Sequence, residues 1–436
     1  MSYDSIFKKY DVRGIYNEVL DEDFAYKFGR ALVRFLGVKE VAVARDGRHS
    51  SPSLFAELSK GILDESAKVI DLGIISTPAA YYSFWKGEYK AGVVITASHN
   101  PPEYNGFKVV KENVRPVHLD NGFNEIKELM KEDFKIKSQK GTIESKTYMK
   151  EYKHYLSSIL SDTKRDMCFV FDQSNGSGWI ESEFLKELYD NVTILNEKVD
   201  GSYPGHNPDP VPSKNREELV KTVLEKKARF GVIVDGDADR AMFVDEKAQF
   251  IRPEALLSVI LEEHAEKILY DVRVSHALKD TAEKKGLKSK MIPCGRTIFL
   301  DNMVSENATY GVEGSGHFFF KEFNGLDSAI ITIIKLLNVL SETDKPLSEL
   351  VKNNSTSIHS GEINFKVKDR EEALNKIKEN FEPESVSELD GLSLFFKNGW
   401  FNIRKSNTEP VIRLNAEFEN QKELDKVINK IKVLVS

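Results

Sequence analysis

The chain has 436 residues, which at about 150 residues per domain sets a prior near three domains, with four possible if they are small. Its 40% hydrophobic and 30% charged residues, with 26 Gly and 14 Pro, exclude a collagenous or low-complexity chain and suit a soluble globular one. Lys and Arg number 62 against 69 Asp and Glu, a net charge of −7, so a general electrostatic grip on nucleic acid is disfavoured and any anionic ligand must be held by local basic clusters.

The first residues carry no apolar core followed by a small-residue cleavage site, so no secretory signal is expected. From residue 23, Phe24, Phe28, Leu32 and Phe35 recur at helical spacing, Gly37 offers a stop, and Val41 to Ala44 reads as a strand before the turn Arg45-Asp-Gly-Arg48. A helix from Pro52, a strand at Val69 to Leu72, a helix after Pro78 and the apolar string Ala91 to Thr96 continue the rhythm, which predicts an α/β layer with largely parallel strands. A Lys-rich stretch near 131–147 is the first expected boundary.

The pattern then restarts with a helix at Tyr148 to Leu160, a strand at Met167 to Phe171 and the turn Asp172-Gln-Ser-Asn-Gly-Ser-Gly, read as a structural helix start. A helix at Ser213 to Ala228 and strands at Gly231 to Val234 and Met242 to Asp245 follow, with a second boundary near 250. A helix at Pro253 opens a third cycle that ends in a long helix, Asp327 to Leu340. Within it the apolar run from Ile330 is interrupted by Lys335 and Asn338 and is shorter than the roughly 18 residues of a membrane helix, so no membrane span is expected. Residues 341–358 are polar and read as a linker, and the remainder as strand, helix, two strands, helix. The expected domains are 1–147, 148–250, 251–358 and 359–436, and three similar cycles suggest duplication. Cys168 and Cys294 lie in apolar strings without metal spacing, so buried free thiols and a reducing cytoplasm are expected.

Four segments have residue types that suit chemistry. In Thr96-Ala-Ser-His-Asn-Pro-Pro-Glu-Tyr-Asn-Gly-Phe-Lys108 an apolar strand delivers Ser98 to a loop stiffened by Pro101 and Pro102, with Asn105-Gly106 turning toward Lys108. Flanked by His99 and Lys108, the hydroxyl could carry a phosphoryl group whose charge the cations offset. Residue types alone favour the plainer reading, a polar hairpin loop. In Gly231-Val-Ile-Val-Asp235-Gly-Asp237-Ala-Asp239-Arg240, alternate positions of an extended loop point one way, so the three carboxylates can converge on a hard divalent cation. A solvated acidic turn is the alternative. An EF-hand is rejected, because Arg240 stands where its Gly belongs and strands flank the loop. An Asp-nucleophile phosphotransferase resembling haloacid dehalogenases also places two such Asp after a strand, but usually has Thr or Val where Asp239 sits.

In Gly311-Val-Glu313-Gly-Ser315-Gly-His317 the glycines let the backbone approach a ligand, Glu313 and Ser315 could bind sugar hydroxyls, and His317 could move protons. A Gly-rich turn before Phe318 to Phe320 is the plainer reading. In Arg404-Lys-Ser406-Asn407-Thr408-Glu-Pro-Val-Ile-Arg413 a turn gathers a guanidinium, two hydroxyls, an amide and loop N–H groups, with Arg413 behind, a good cradle for a phosphate dianion. A plain hairpin turn serves equally.

In this order and spacing, together with Phe7-Lys-Lys-Tyr10-Asp-Val-Arg13-Gly and Ala44-Arg45-Asp-Gly-Arg48, the four segments resemble the signature set of the α-D-phosphohexomutase family, in its phosphomannomutase/phosphoglucomutase branch. The resemblance spans nearly the whole chain. It implies three similar mixed α/β domains and a small C-terminal α+β domain around a central cleft, each giving one loop. It implies Ser98 as phosphoserine; Asp235, Asp237, Asp239 and the Ser98 oxygen as Mg²⁺ ligands; and Arg13, His99, Lys108 and His317 as acid/base and charge-stabilising groups. Substrate contacts are implied for Tyr10, Arg240, Glu313 and Ser315, and a phosphate clasp for Arg404, Ser406, Asn407, Thr408 and Arg413.

Members often carry Asp-Val-Lys and a Gly-His pair where this chain has Asp271-Val-Arg273 and Gly295-Arg296, so Arg273 and Arg296 stand at expected ligand-contact positions. Val312 replaces a Gly. The implied reaction interconverts mannose or glucose 1- and 6-phosphates through a phosphoserine enzyme and a hexose 1,6-bisphosphate, which also serves as activator. The expected partner is a small phosphosugar, with no nucleic acid, no membrane, and a monomer or dimer. A phosphoglucosamine mutase is the near alternative; the Asp-nucleophile phosphotransferase and a non-catalytic phosphosugar-binding protein are the remoter ones.

Overall fold

The computed structural model describes residues 3, 5–133, 135–161, 164–352, 357–405 and 411–435. The first helix, Glu22–Leu36, starts where Asp21 accepts the Phe24 N–H at 2.8 Å and stops at Gly37, which adopts φ 62°. It buries Phe24, Phe28 and Leu32 and packs on the helix Ser51–Asp64. The two axes approach at glycines: a Cβ on Gly61 would lie 2.1 Å from the Tyr26 carbonyl, and one on Gly29 2.4 Å from that of Leu58.

These helices flank a seven-stranded sheet ordered Val12–Ile15, Tyr104–Lys111, Ala91–Ile95, Glu40–Arg45, Lys68–Ile74, Ile143–Ser145, with Arg115–Pro116 paired to Tyr104–Lys111. The last four strands of that order run parallel; Tyr104–Lys111 runs antiparallel to Ala91–Ile95. The second sheet is ordered Phe250–Ile251, Ala241–Asp245, Phe230–Val234, Phe169–Asp172, Val192–Leu195. The third is ordered Lys288–Ile292, Lys267–Asp271, Tyr310–Val312, Phe318–Phe320, Leu326–Asp327. Both repeat one plan, in which a run of parallel strands meets a reversed strand. In each domain the loop singled out from the sequence sits at that reversal: 96–103, 235–240 and 313–317. The chain is thus three similar α/β domains and a smaller α+β domain, whose antiparallel sheet runs Ile358–Lys366, Val411–Phe418, Gly399–Lys405, Leu392–Phe396, Ser385–Ser387.

One hydrophobic core runs through the first three domains, from Ala42, Ile70 and Phe84 through Phe169 and Phe230 to Leu269, Phe319 and Ile333. The C-terminal domain has its own, around Ile377, Leu394, Phe401, Ile412 and Ile431. Its link to the third domain centres on Glu417, which accepts from Ser275 Oγ at 2.5 Å and from the His276 N–H at 3.1 Å and is held from its own domain by Trp400 Nε1 at 2.7 Å, while the His276 ring stacks on Trp400 with centroids 5.1 Å apart.

Several expectations need correction. Asn105-Gly106 is no turn but lies inside the strand Tyr104–Lys111, with Gly106 opposite Arg13. The last domain has four strands between its two helices rather than two, because tight turns at Gly391 and Asn398-Gly399 divide the stretch. The linker 341–358 includes a helix, Leu347–Lys352. Helix 213–228 starts as a 3₁₀ turn, Ser213–Arg216, before the α-helix Glu217–Lys226, and the long apolar helix is Ala329–Glu342, leaving Asp327 in a strand. Cys168 and Cys294 are free thiols, but half-buried. Among the described residues no helix is long and apolar enough to cross a membrane.

Candidate active site

The fully buried strand Ala91–Ile95 runs into Thr96, whose Oγ1 accepts the Ser98 N–H at 2.9 Å. Ser98 adopts φ 52°, a left-handed conformation that costs a non-glycine residue roughly 1–3 kcal/mol and persists only where its surroundings hold it. The buried guanidinium of Arg48 does so. It donates to the carbonyls of Ser98 (2.9 Å), Asn100 (2.6 Å), Pro101 (2.6 Å) and Tyr104 (3.0 Å), and to Asp46 (3.0 Å). Ser98 Oγ in turn donates to Asp235 Oδ2 at 2.6 Å, and His99 Nδ1 stands 3.3 Å from it. Burial, then Arg240, Arg13 and Lys108, push the His99 pKa well below its ordinary value, so the ring is neutral. Arg13 donates to Asn100 Oδ1 at 2.6 Å and pairs with Asp11.

The strand Phe230–Val234, also fully buried, delivers the acidic loop beside this serine. Asp235, Asp237 and Asp239 are inaccessible to solvent and offer oxygens within 4.8 Å of one another. At an effective dielectric of about 20, two such charges repel by roughly 3.5 kcal/mol at that distance, so the cluster needs counter-charge. Lys108 supplies part: its Nζ lies 2.5 Å from Asp237 Oδ2 and 2.5 Å from Asp239 Oδ2. Burial would lower the lysine pKa, but the two carboxylates hold it above the ordinary value. Burial opposes ionisation of Asp239, but Lys108 holds its carboxyl below the ordinary value, while burial and the neighbouring Asp237 and Asp239 push Asp235 well up.

Thr77, from the first domain, donates to Asp237 Oδ2 at 2.5 Å, and Asp235 Oδ1 accepts the N–H groups of Asp239 and Arg240 at 3.1 Å each. Asp237 Oδ1 and Asp239 Oδ1 remain buried without a hydrogen-bond partner. Two orphaned carboxylate oxygens next to a serine-held third are a donor set that fits a hard divalent cation.

The third loop meets the second: Arg240 Nε donates to His317 Nε2 at 3.0 Å. Gly316, at φ 94°, lets the loop pass the Ala241 carbonyl, from which a Cβ would be 2.9 Å. Glu313 Oε1 accepts from Arg273 Nη2 at 3.0 Å and from the Gly295 N–H at 3.1 Å, and Ser315 Oγ is buried without a partner. Arg273 also grips Asp271 at 2.5 Å. Arg296 is engaged within the protein: it forks onto Asp327, approaches Asp239 Oδ2 at 3.3 Å and lies over the Tyr81 ring at 4.9 Å. Tyr10 packs on Gly295, where a Cβ would come within 2.9 Å of its ring.

The C-terminal domain reaches this region through Asp390, whose carboxylate accepts the Cys294 N–H at 2.9 Å. Arg404 and Arg413 both face Glu362, each at 3.2 Å. Ser406, Asn407 and Thr408 lie outside the described residues.

The first three loops therefore share one polar cluster, and sequence models for four domains of one family match along the whole chain. They are the Phosphoglucomutase/phosphomannomutase alpha/beta/alpha domains I (residues 4–137), II (146–248) and III (254–357) and the C-terminal domain (362–432). The chain belongs to the phosphoglucomutase/phosphomannomutase family.

A phosphomannomutase of Methanocaldococcus jannaschii is 36% identical, the match covering 99% of this chain and 97% of that protein. A phosphoglucomutase of Neisseria meningitidis serogroup A is 31% identical over 99% of this chain and 96% of its own. The crystal structure of a phosphoglucomutase/phosphomannomutase family protein from Burkholderia thailandensis superposes with a TM-score of 0.89 at 29% identity, covering 99% of this chain and 96% of that one. As a phosphoglucomutase/phosphomannomutase family enzyme the chain is a phosphohexomutase, and its buried aspartates are consistent with Mg²⁺ binding.

Sequence reasoning missed Arg48, Thr77, Asn100 and Asp327. For Asp327 a signal was present: a carboxylate at the foot of a long apolar helix, with Ser328 as N-cap, is expensive to bury without a purpose.

Proposed function

We propose that this phosphohexomutase interconverts the 1- and 6-phosphates of mannose and glucose, with units 1–147, 148–250, 251–358 and 359–436 each giving one loop to the site. The observation that carries the reading is Ser98 Oγ, 2.6 Å from Asp235, across a cluster in which Lys108 spans Asp237 and Asp239. Phosphorylated Ser98 gives its phosphoryl group to the free sugar hydroxyl: the P–O bond to serine breaks, one to the sugar forms, and the hydroxyl proton is taken up by a nearby base. The resulting 1,6-bisphosphate turns over and returns its other phosphoryl group to Ser98 by the reverse step.

Asp235, Asp237, Asp239 and the Ser98 oxygen would hold a Mg²⁺ ion, which when bound would supply charge stabilisation to the transferring oxygens. Lys108 and Arg240 add fixed positive charge on either side, and buried donors of this kind need no reorganisation as charge develops. Neutral His99, 3.3 Å from Ser98 Oγ, and His317 serve as proton carriers, with Arg13 fixing Asn100 beside them. Glu313 and Ser315 read equatorial hydroxyls; the unpartnered Ser315 Oγ is open to such a bond. Arg404, Ser406, Asn407, Thr408 and Arg413 clasp the non-transferred phosphate, and Tyr10, Arg273 and Arg296 border the sugar site.

Against an Asp235 nucleophile stands its geometry: one oxygen accepts two backbone N–H groups and the other the Ser98 hydroxyl. The test follows glucose, mannose, glucosamine and N-acetylglucosamine 1-phosphates by phosphorus NMR with Mg²⁺ and trace hexose 1,6-bisphosphate. Conversion of the mannose and glucose esters to 6-phosphates is expected. Conversion of glucosamine phosphate alone, or of none, overturns the reading, and a phosphoenzyme cleaved by hydroxylamine would assign the nucleophile to a carboxylate.

A further inference from the structure

Two groups of side chains lie close enough to hold a cation: Asp235, Asp237 and Asp239, and, sharing Asp239, the trio Asp239, His317 and Asp327. The second is not a ligand set. Both oxygens of the fully buried Asp327 are taken by one guanidinium, Arg296 Nε on Oδ2 and Arg296 Nη2 on Oδ1, each at 2.6 Å. A cation placed there would sit against a positive charge.

The distances show what Asp327 does instead. Arg296 Nε is 2.6 Å from Asp327 but 3.3 Å from Asp239 Oδ2. His317 Nδ1 is 2.7 Å from Asp327 Oδ2 but 3.7 Å from Asp239 Oδ1. Each group is therefore nearer the carboxylate outside the acidic loop than the one inside it, and Asp239 Oδ1 stays without a hydrogen-bond partner. Lys108 already occupies Asp239 Oδ2. A guanidinium prefers a two-point fork on a carboxylate, and a buried one deprived of its partner closes on the next available anion.

We infer that Asp327 is a positioning residue for the acidic loop: a counter-ion that holds Arg296 and His317 back from Asp239 and so keeps a carboxylate oxygen available to a divalent cation. The inference rests on the metal reading of that loop. It gives Arg296, beyond its place at the border of the sugar site, a second part as a competitor for Asp239 that is restrained by Asp327.

The test is Mn²⁺ binding, measured by electron paramagnetic resonance on the full chain without substrate, for wild type, Asp327→Asn, Arg296→Gln and the double variant, each checked by circular dichroism. Asp327→Asn should weaken Mn²⁺ binding by about 10-fold or more, the scale seen when an outer partner of a metal ligand is lost. Adding Arg296→Gln should restore it, because with no guanidinium there is nothing left to restrain, and Arg296→Gln alone should bind at least as tightly as wild type. Wild-type affinity in Asp327→Asn, or a double variant as weak as the single one, overturns the inference. If Asp327→Asn does not fold, Arg296→Gln decides: weaker binding there overturns it. A wild-type chain that fails to bind Mn²⁺ would instead remove the metal reading itself.

Discussion

Arg48 donates to the carbonyl of Ser98 at 2.9 Å from fifty residues upstream, and that bond is one of four from its guanidinium to carbonyls: three in the same loop and one, Tyr104, at the start of the strand that leaves it. The loop's shape is thus written in the reach of one planar fork. Arg48→Lys offers a point charge with three donors for a task that uses the whole fork, and each buried carbonyl left unpaired costs about 1–3 kcal/mol. We expect a clear loss of stability by urea titration and a fall in kcat/KM of roughly 100-fold or more, since Ser98 loses the support for its left-handed backbone.

Ser98→Ala removes the proposed phosphoryl carrier without disturbing Arg48. Turnover should fall by about 1000-fold or more, while hexose phosphate binding by calorimetry changes little. Wild-type turnover in this variant would exclude Ser98 as nucleophile.

Gly236 is where the second loop meets the first: a Cβ there would come 2.7 Å from the Ser98 carbonyl and 2.9 Å from the Tyr203 hydroxyl. Gly236→Ala should push the acidic loop away from the serine. The expected result is a drop in kcat larger than the rise in KM, because the misplacement acts on the transfer step.

Glu181 predicts a pH dependence of stability. It is wholly buried at the boundary of the first two domains, accepts from Ser76 Oγ at 2.5 Å, and burial pushes its pKa from 4.5 up to about 7. A raised carboxyl pKa means that the folded state keeps a proton the unfolded state has released. Stability from this group is therefore full below about pH 4.5 and is lost as pH rises to about 7, by roughly 3 kcal/mol in all. Glu181→Gln, which mimics the protonated acid, should unfold at a higher temperature than wild type at pH 8 and lose that advantage near pH 5.

The first three chemical loops were legible less from residue types, which allow plain turns, than from their order and spacing along the chain, each following an apolar strand: Ser98-His99 before two prolines, three aspartates at alternate positions, and Glu313 to His317 among glycines. Their partners were not, since Ser98 and Asp235 are 137 residues apart and Lys108 and Asp237 129. Arg48 read as part of a turn and of a segment resembling the family, with no partner assigned to its guanidinium. Asn105-Gly106 misled because that pair usually turns a chain; here Gly106 is required in a strand, where a Cβ would lie 2.0 Å from the Val12 carbonyl. Asp327 was absorbed into the helix that follows it, although the helix begins at Ala329.

The continuous core of the first three domains and the separate core of the fourth divide the molecule mechanically. Serine, aspartates and histidine belong to a single casting, whereas Arg404 and Arg413 ride on an appendage fastened by hydrogen bonds around Glu417 and Asp390 and by the His276 ring stacked on Trp400. Heat or denaturant should detach that appendage before the casting melts, and the smaller piece can rock while Ser98 and the aspartates keep their places.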